Sequence, residues 1–237
     1  MPNCKRIVLV LDSSGSMSTQ KLDIIGGINE MIKEQRKILP EQNNSVQFNV
    51  VKFNHLVEEP TGSTLANTSF LTSRDYIPSG TTALYDAMGK TMDRYRDEKD
   101  VIMIIATDGA ENASQSYTHR LVTDMVSQFK ESKGWNFIYL SEDIDTFRQG
   151  NRIGITHESY ACNNLNVGKG NIGSTLSDSF NQECISQMRM GNKNVKMKSV
   201  DRSSHGHSHQ PTGMTYYKSY NPEISRFLQP QQRGGWW

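Results

Sequence analysis

Ile7-Val8-Leu9-Val10-Leu11-Asp12-Ser13-Ser14-Gly15-Ser16-Met17 decides the fold. Five aliphatic residues with no charge among them read as a strand buried on both faces, as in a parallel sheet. The strand stops at a carboxylate, and hydroxyls follow two and four residues later. An acid and two hydroxyls at a strand-to-loop junction are hard oxygen donors, suited to Mg²⁺, Mn²⁺ or Ca²⁺ rather than to a soft metal. Ser14 and Ser16 also suit a plain helix N-cap, so the reading turns on whether distant segments add further donors.

Two segments offer them. Val101-Ile102-Met103-Ile104-Ile105-Ala106-Thr107-Asp108-Gly109 repeats the design, an aliphatic strand ending at a carboxylate and a Gly turn. Ser79-Gly80-Thr81-Thr82-Ala83-Leu84 is a Gly-punctuated hydroxyl loop opening a helical period. In an open α/β sheet, ligands sit outside the carboxyl ends of the strands, so Asp12 and Asp108 are expected on one rim beside the threonine loop.

Around these segments strands and helices alternate, which predicts a doubly wound, mostly parallel α/β sheet with one antiparallel edge strand. Strands are expected at Arg6–Asp12, Val46–Asn54, from Val101, at Trp135–Leu140 and at Tyr160–Cys162. Leu56–Glu59 is expected to pair back on Val46–Asn54 as the antiparallel edge, and residues 60–82 to form a long surface connection. Helices are expected over Lys21–Leu39 (stopped by Pro40), from Leu84 to Tyr95, along Tyr117, Leu121, Met125 and Phe129, over Ile144–Arg152, and over Ser174–Met190. Thr81 and Asp86 read as a loop residue and a helix-surface acid.

Composition divides the 237 residues in two. Residues 1–190 can hold one domain with a sizeable core. Residues 191–237 carry +5 against −4 for the remainder, and their Asn, Lys, Ser, His and Gly content predicts a flexible, low-complexity tail. Three scattered cysteines, Cys4, Cys162 and Cys184, fit a reducing compartment and not a disulfide framework. No secretory leader or membrane-length apolar run is read, so the expectation is a cytoplasmic protein without a membrane partner.

The arrangement resembles the von Willebrand factor A domain family, whose metal-ion-dependent adhesion site has the pattern Asp-x-Ser-x-Ser, a loop Thr, and the Asp of Thr-Asp-Gly. Asp12, Ser14, Ser16, Thr82 and Asp108 stand in that order. The family's Gly-x-Thr-x-Leu register selects Thr82 over Thr81. The resemblance covers roughly residues 4–185. It is closest to small stand-alone bacterial and viral members, through Ile25-Gly26-Gly27-Ile28-Asn29, Asp108-Gly109-Ala110-Glu111-Asn112 and Gly134-Trp135-Asn136-Phe137-Ile138-Tyr139-Leu140. It implies a bound Mg²⁺, with Mn²⁺ or Ca²⁺ as alternatives, that takes an Asp or Glu side chain from a protein partner. It also implies an adaptor and not an enzyme, with no catalytic residue.

Other functions have weaker signals. Oxygen-ligated Mg²⁺ also serves phosphoryl transfer and hydrolysis. However, the chain has no phosphate-binding Gly-x-x-x-x-Gly-Lys-Ser/Thr loop, and Ser13-Ser14-Gly15-Ser16 lacks the leading Gly of a nucleophile elbow. His55 and His119 are the imidazoles nearest the metal segments and belong to no motif. In the tail, His205, His207 and His209 form a weak Zn²⁺ or Ni²⁺ pattern that reads better as a solvated patch. Basic residues interleaved with Tyr216, Tyr217, Tyr220, Trp236 and Trp237 keep a nucleic-acid-associated adaptor as the alternative. Glu111 and Asn112, just after Asp108, read either as rim residues or as an ordinary helix cap.

Overall fold

The computed structural model describes residues 5–157 and 159–200. The aliphatic run becomes strand β1 (Arg6–Asp12), buried from Ile7 onward. Its pleat sends alternate residues to opposite faces. Ile7, Leu9 and Leu11 enter one apolar cluster, with Ile24, Ile28 and Ile185. Val8 and Val10 enter another, with Met88, Val122 and Trp135. A strand with helices on both sides has no polar face, which is why β1 shows no alternation.

The other strands are β2 (Gln47–Phe53), β3 (Thr61–Thr64), β4 (Val101–Thr107), β5 (Asn136–Ser141) and β6 (Cys162–Asn166). They form one sheet in the order β3-β2-β1-β4-β5-β6, parallel except for β3 against β2. Helices α1 (Lys21–Ile38), α2 (Leu84–Arg94), α3 (His119–Lys133), α4 (Ile144–Arg152), α5 (Ile172–Ser177) and α6 (Ser179–Arg189) flank it. A 3₁₀ segment, Gly15–Gln20, leads from β1 into α1. Among the described residues, no helix is long and apolar enough to cross a membrane.

Several local expectations change. The antiparallel edge strand is Thr61–Thr64, not Leu56–Glu59, which contributes only an isolated bridge from Val57 to Phe53. Asn54 N donates to Leu56 O and Glu58 N to Lys52 O, so the segment folds back on the end of β2 through that one bridge, and the Asn54 side chain accepts from Leu56 N in the turn. Pairing resumes at Thr61, and the missing side chain of Gly62 lets β3 approach: a Cβ there would lie 2.0 Å from Phe48 O. In α3 the inward face is Val122, Met125, Val126 and Phe129, while Leu121 is exposed. The last strand begins at Cys162, where the expected one ended.

The C-terminal helix is two helices. Asp178 leaves the helical region (φ −62°, ψ 132°) and accepts from Phe180 N and Asn181 N, which starts α6 afresh. Residues 191–200, expected to open a flexible tail, run as a strap against the domain. Met197 is buried in the core, and Ala161 N donates to Lys193 O at 3.0 Å. Two side-chain amides serve as its pairing partners. Asn163 donates to Val195 O (3.0 Å) and accepts from Met197 N (2.8 Å), and Asn181 does the same at both ends of Lys198 (2.8 and 2.9 Å). The His and aromatic residues of the expected tail, and with them its metal and nucleic-acid readings, lie outside the described residues.

Candidate functional site

β1 and β4 lie side by side in register, Leu11 opposite Ala106, so Asp12 emerges beside Thr107 and one step from Asp108. Asp12 is fully buried. Its Oδ1 accepts from Ser14 N at 2.7 Å and its Oδ2 from Thr107 Oγ1 at 2.6 Å. Among the described residues no ion pair reaches it. Burial in this low-dielectric place pushes its carboxyl from 3.8 up to about 6, against the donated bonds from Thr107 and Ser14, with a smaller upward push from Asp108.

Hydroxyls bridge the two acids. Ser14 Oγ and Ser16 Oγ are 3.1 Å apart, and Ser16 Oγ donates to Asp108 Oδ1 at 2.6 Å. Thr82 is buried, whereas Thr81 is exposed. A Cβ placed on Gly109 would lie 2.8 Å from Thr82 Oγ1 and 3.5 Å from Asp12 Oδ2, so both oxygens border the same small space in front of Gly109. Asp12, Ser14, Ser16, Thr82 and Asp108 thus come from three separate segments, the ends of β1 and β4 and the loop that opens α2, into one cluster of hard oxygen donors. Mg²⁺, Mn²⁺ and Ca²⁺ take such donors.

The loops are knitted by backbone bonds. Gly15 N donates to Gly80 O (3.0 Å), Ser79 N to Ser13 O (2.7 Å) and Ser13 N to Phe53 O (2.6 Å). Beneath them the hydroxyl of the buried Tyr76 donates to Asp12 O at 2.6 Å. Burial and the nearby acids raise the Tyr76 phenol, which keeps it a neutral donor.

Four contributors have no assignment from the sequence. Thr107 stands in the sequence only as the residue before Asp108, yet it is the donor that orients Asp12 Oδ2; aligning the two strand ends identifies it. Tyr76 carries no local signal, because its role depends on a fold-back over 64 residues of chain. Gln20, the last 3₁₀ residue, donates to Asp108 Oδ2 at 3.2 Å, and its buried Oε1 has no partner among the described residues. Glu142, at the end of β5, joins this rim: burial raises its carboxyl, Gly170 N donates to it, and Asp108 adds repulsion.

The segment after Asp108 is a structural cap as well as a rim. Glu111 accepts from Tyr85 N at the start of α2 (2.9 Å) and from Ala113 N and Ser114 N (2.9 and 2.7 Å). Asp86 is not a surface acid. It is buried, and three backbone donors, Gln115, Ser116 and Tyr117, hold its carboxyl below the ordinary range although burial works the other way. His55 packs against Gly80 and His119 meets the Tyr85 ring edge-on at 5.9 Å. Among the described residues neither imidazole bonds a carboxylate of the cluster.

An open α/β sheet with an oxygen-donor cluster outside the carboxyl ends of β1 and β4 defines a class of proteins that bind at that edge. Within it, the von Willebrand factor type A domain pattern matches residues 7–141, and the chain belongs to that family. No curated protein is similar enough in sequence to count as a relative.

Solved structures similar to it include the PilB minor pilin from Streptococcus sanguinis, at 13% identity over 80% of this chain and 61% of that one, TM-score 0.51. Another is the pilus adhesin SpaC from Lactobacillus rhamnosus GG, at 14% identity over 64% of this chain and 27% of that one, TM-score 0.50. A third is the ArnB paralog VWA2 from Sulfolobus acidocaldarius, at 16% identity over 75% of this chain and 45% of that one, TM-score 0.48. The chain therefore spans less than two thirds of each of these proteins, and the likeness is one of fold.

Proposed function

We propose that the protein is a metal-dependent protein-interaction module. In this reading Asp12, Ser14, Ser16, Thr82 and Asp108 hold a divalent cation of the Mg²⁺ type, directly or through water, and the cation takes an Asp or Glu side chain from a partner. The observation that carries it is Asp12: a carboxylate fully buried at a strand end, unpaired with any cationic side chain among the described residues, and facing neutral hydroxyls. An isolated buried charge costs several kcal/mol, and a cation in the space before Gly109 offsets that cost.

The chain's own residues do the rest. Thr107 and Ser14 N fix the Asp12 carboxylate in one orientation. Ser16 is exposed and already aimed at Asp108, so the cluster opens toward solvent on the Ser16 side. A divalent ion bound there supplies electrophilic positions that an incoming carboxylate can occupy. Three of the five donors are neutral hydroxyls, so the ion keeps more of its electrophilic character than an all-carboxylate set would leave it. An enzymatic reading has no comparable support, since no imidazole or lysine is bonded to the cluster among the described residues.

The test is titration of the full chain with Mg²⁺ and Mn²⁺ by calorimetry, beside capture of acidic-peptide ligands with Mg²⁺ or with EDTA. Asp12→Ala and Asp108→Ala are expected to abolish cation binding and peptide capture while the far-ultraviolet circular dichroism stays unchanged. Peptide capture that survives both substitutions and EDTA defeats the reading.

A further inference from the structure

We propose that Asn112 is the positioning residue of the site: it holds Thr82 at its working distance from Asp12 and Asp108 without touching the cation. The inference rests on the metal reading above and assigns a role that the five donor residues do not account for.

Thr82 sits in the loop between Gly80 and α2, and its peptide is gripped at both ends by one residue. Thr82 N donates to Asn112 Oδ1 at 2.9 Å, and Asn112 N donates back to Thr82 O at 3.0 Å, with Ala113 N adding a second bond to that oxygen at 3.2 Å. The pattern imitates a strand pair, with the amide side chain standing in for a carbonyl. An apolar side chain cannot accept from Thr82 N, and its loss leaves that N–H without its partner.

The grip matters because clearance on the other side of Thr82 is small. Its Oγ1 is 2.8 Å and its Cγ2 3.5 Å from where a Cβ on Gly109 would lie. Gly109 immediately follows Asp108. A displacement of Thr82 by one ångström therefore closes or widens the space it shares with Asp12.

Asn112 itself stands on a fixed base. Glu111 ties its neighbours to Tyr85 N, and Ser114 Oγ donates to Glu111 Oε2 (2.7 Å) and accepts from Asp86 N (3.0 Å). Asp86 then collects the backbone N–H groups of Gln115, Ser116 and Tyr117 at 2.8–3.1 Å. The segment after Asp108 and the first turn of α2 form one block, and Asn112 joins that block to Thr82 in the threonine loop. Asn112 is exposed, so replacing it leaves both apolar clusters intact. Groups that orient metal ligands at one remove typically change metal affinity by 10- to 100-fold.

The experiment uses the full chain, with Mn²⁺ as probe, comparing wild type, Asn112→Ala and Asn112→Asp. Asp keeps the acceptor for Thr82 N, and Ala removes it. The expected result is about tenfold weaker Mn²⁺ binding for Asn112→Ala. Faster amide exchange at Thr82 in metal-free protein accompanies it, and Asn112→Asp restores both. Wild-type binding of Mn²⁺ with equal affinity in Asn112→Ala overturns this inference and leaves the metal reading standing. Failure of the wild type to bind Mn²⁺ overturns the metal reading and this inference with it.

Discussion

β1 and β6 lie three strands apart in the same sheet, and β1 from Ile7 to Asp12 and β6 from Cys162 to Leu165 are buried by opposite means. β1 is aliphatic from Ile7 to Leu11 and meets apolar residues on both faces. β6 reads Cys-Asn-Asn-Leu-Asn, and its first two asparagines, Asn163 and Asn164, are buried nearly as deeply. Asn163 is kept inside because the strap satisfies it, through Val195 O and Met197 N. Asn164 donates to Phe147 O and Asn151 Oδ1. Burial by transfer free energy needs only side chains that leave water willingly. Burial by hydrogen bonding needs partners supplied by distant chain.

The two strands end differently too. β1 delivers a buried acid, Asp12, whose charge no basic side chain answers among the described residues. β6 runs instead into a glycine turn at Gly168 and on to α5. The apolar strand is the one that presents a costly group, and the polar strand is the one that holds the C-terminal strap.

The largest expected effect tests the apolar half of this contrast. Leu9→Ala, at the centre of β1 and wholly buried, is expected to cost about 2–5 kcal/mol in urea unfolding. A loss under about 1 kcal/mol means that β1 is not the fully packed strand described here.

The acid at its end gives the next effect, through pH. Burial raises Asp12 from 3.8 to about 6, so between those values the folded protein holds a proton that the unfolded chain has released. The contribution is full below pH 3.8 and is lost as pH rises through about 6, amounting to roughly 3 kcal/mol. In EDTA, the stability of wild type relative to Asp12→Asn is therefore expected to fall between pH 4 and pH 7. Saturating Mg²⁺ is expected to flatten that slope, and a flat difference in EDTA contradicts the assignment.

The smallest effect tests the polar half. Asn163→Ala removes two bonds to the strap and is expected to cost about 1–3 kcal/mol. Faster amide exchange at Met197 accompanies it, with no change at Ile7–Leu11. Exchange that speeds up equally in both strands merges the two regions into a single cooperative unit and removes the contrast.

Much of this was legible in the sequence. β1 and α4 have the bounds expected of them, and β4 and α2 start where expected, because an unbroken aliphatic run or a clean helical period carries its own solution. Asp12, Ser14, Ser16 and Asp108 could be named because they follow the ends of aliphatic runs, and Thr82 because the Gly-x-Thr-x-Leu register of the family resemblance selects it. The edge strand, the break at Asp178 and the strap could not. Thr61–Thr64 has no apolar pattern, Asp178 looks like any helix-surface acid, and residues 191–200 are polar enough to read as tail.

Sequence alone determined the sheet class, the order of most elements and the placement of acids and hydroxyls at strand ends, since hydrophobic periodicity is a local property of the chain. The tertiary structure alone decided that Thr107 and Tyr76 orient Asp12, that Asn112 grips Thr82, and that two asparagines hold the strap. Each of those is a hydrogen bond between residues tens of positions apart. A polar side chain carries no mark of the partner it will find until the core has brought the two together.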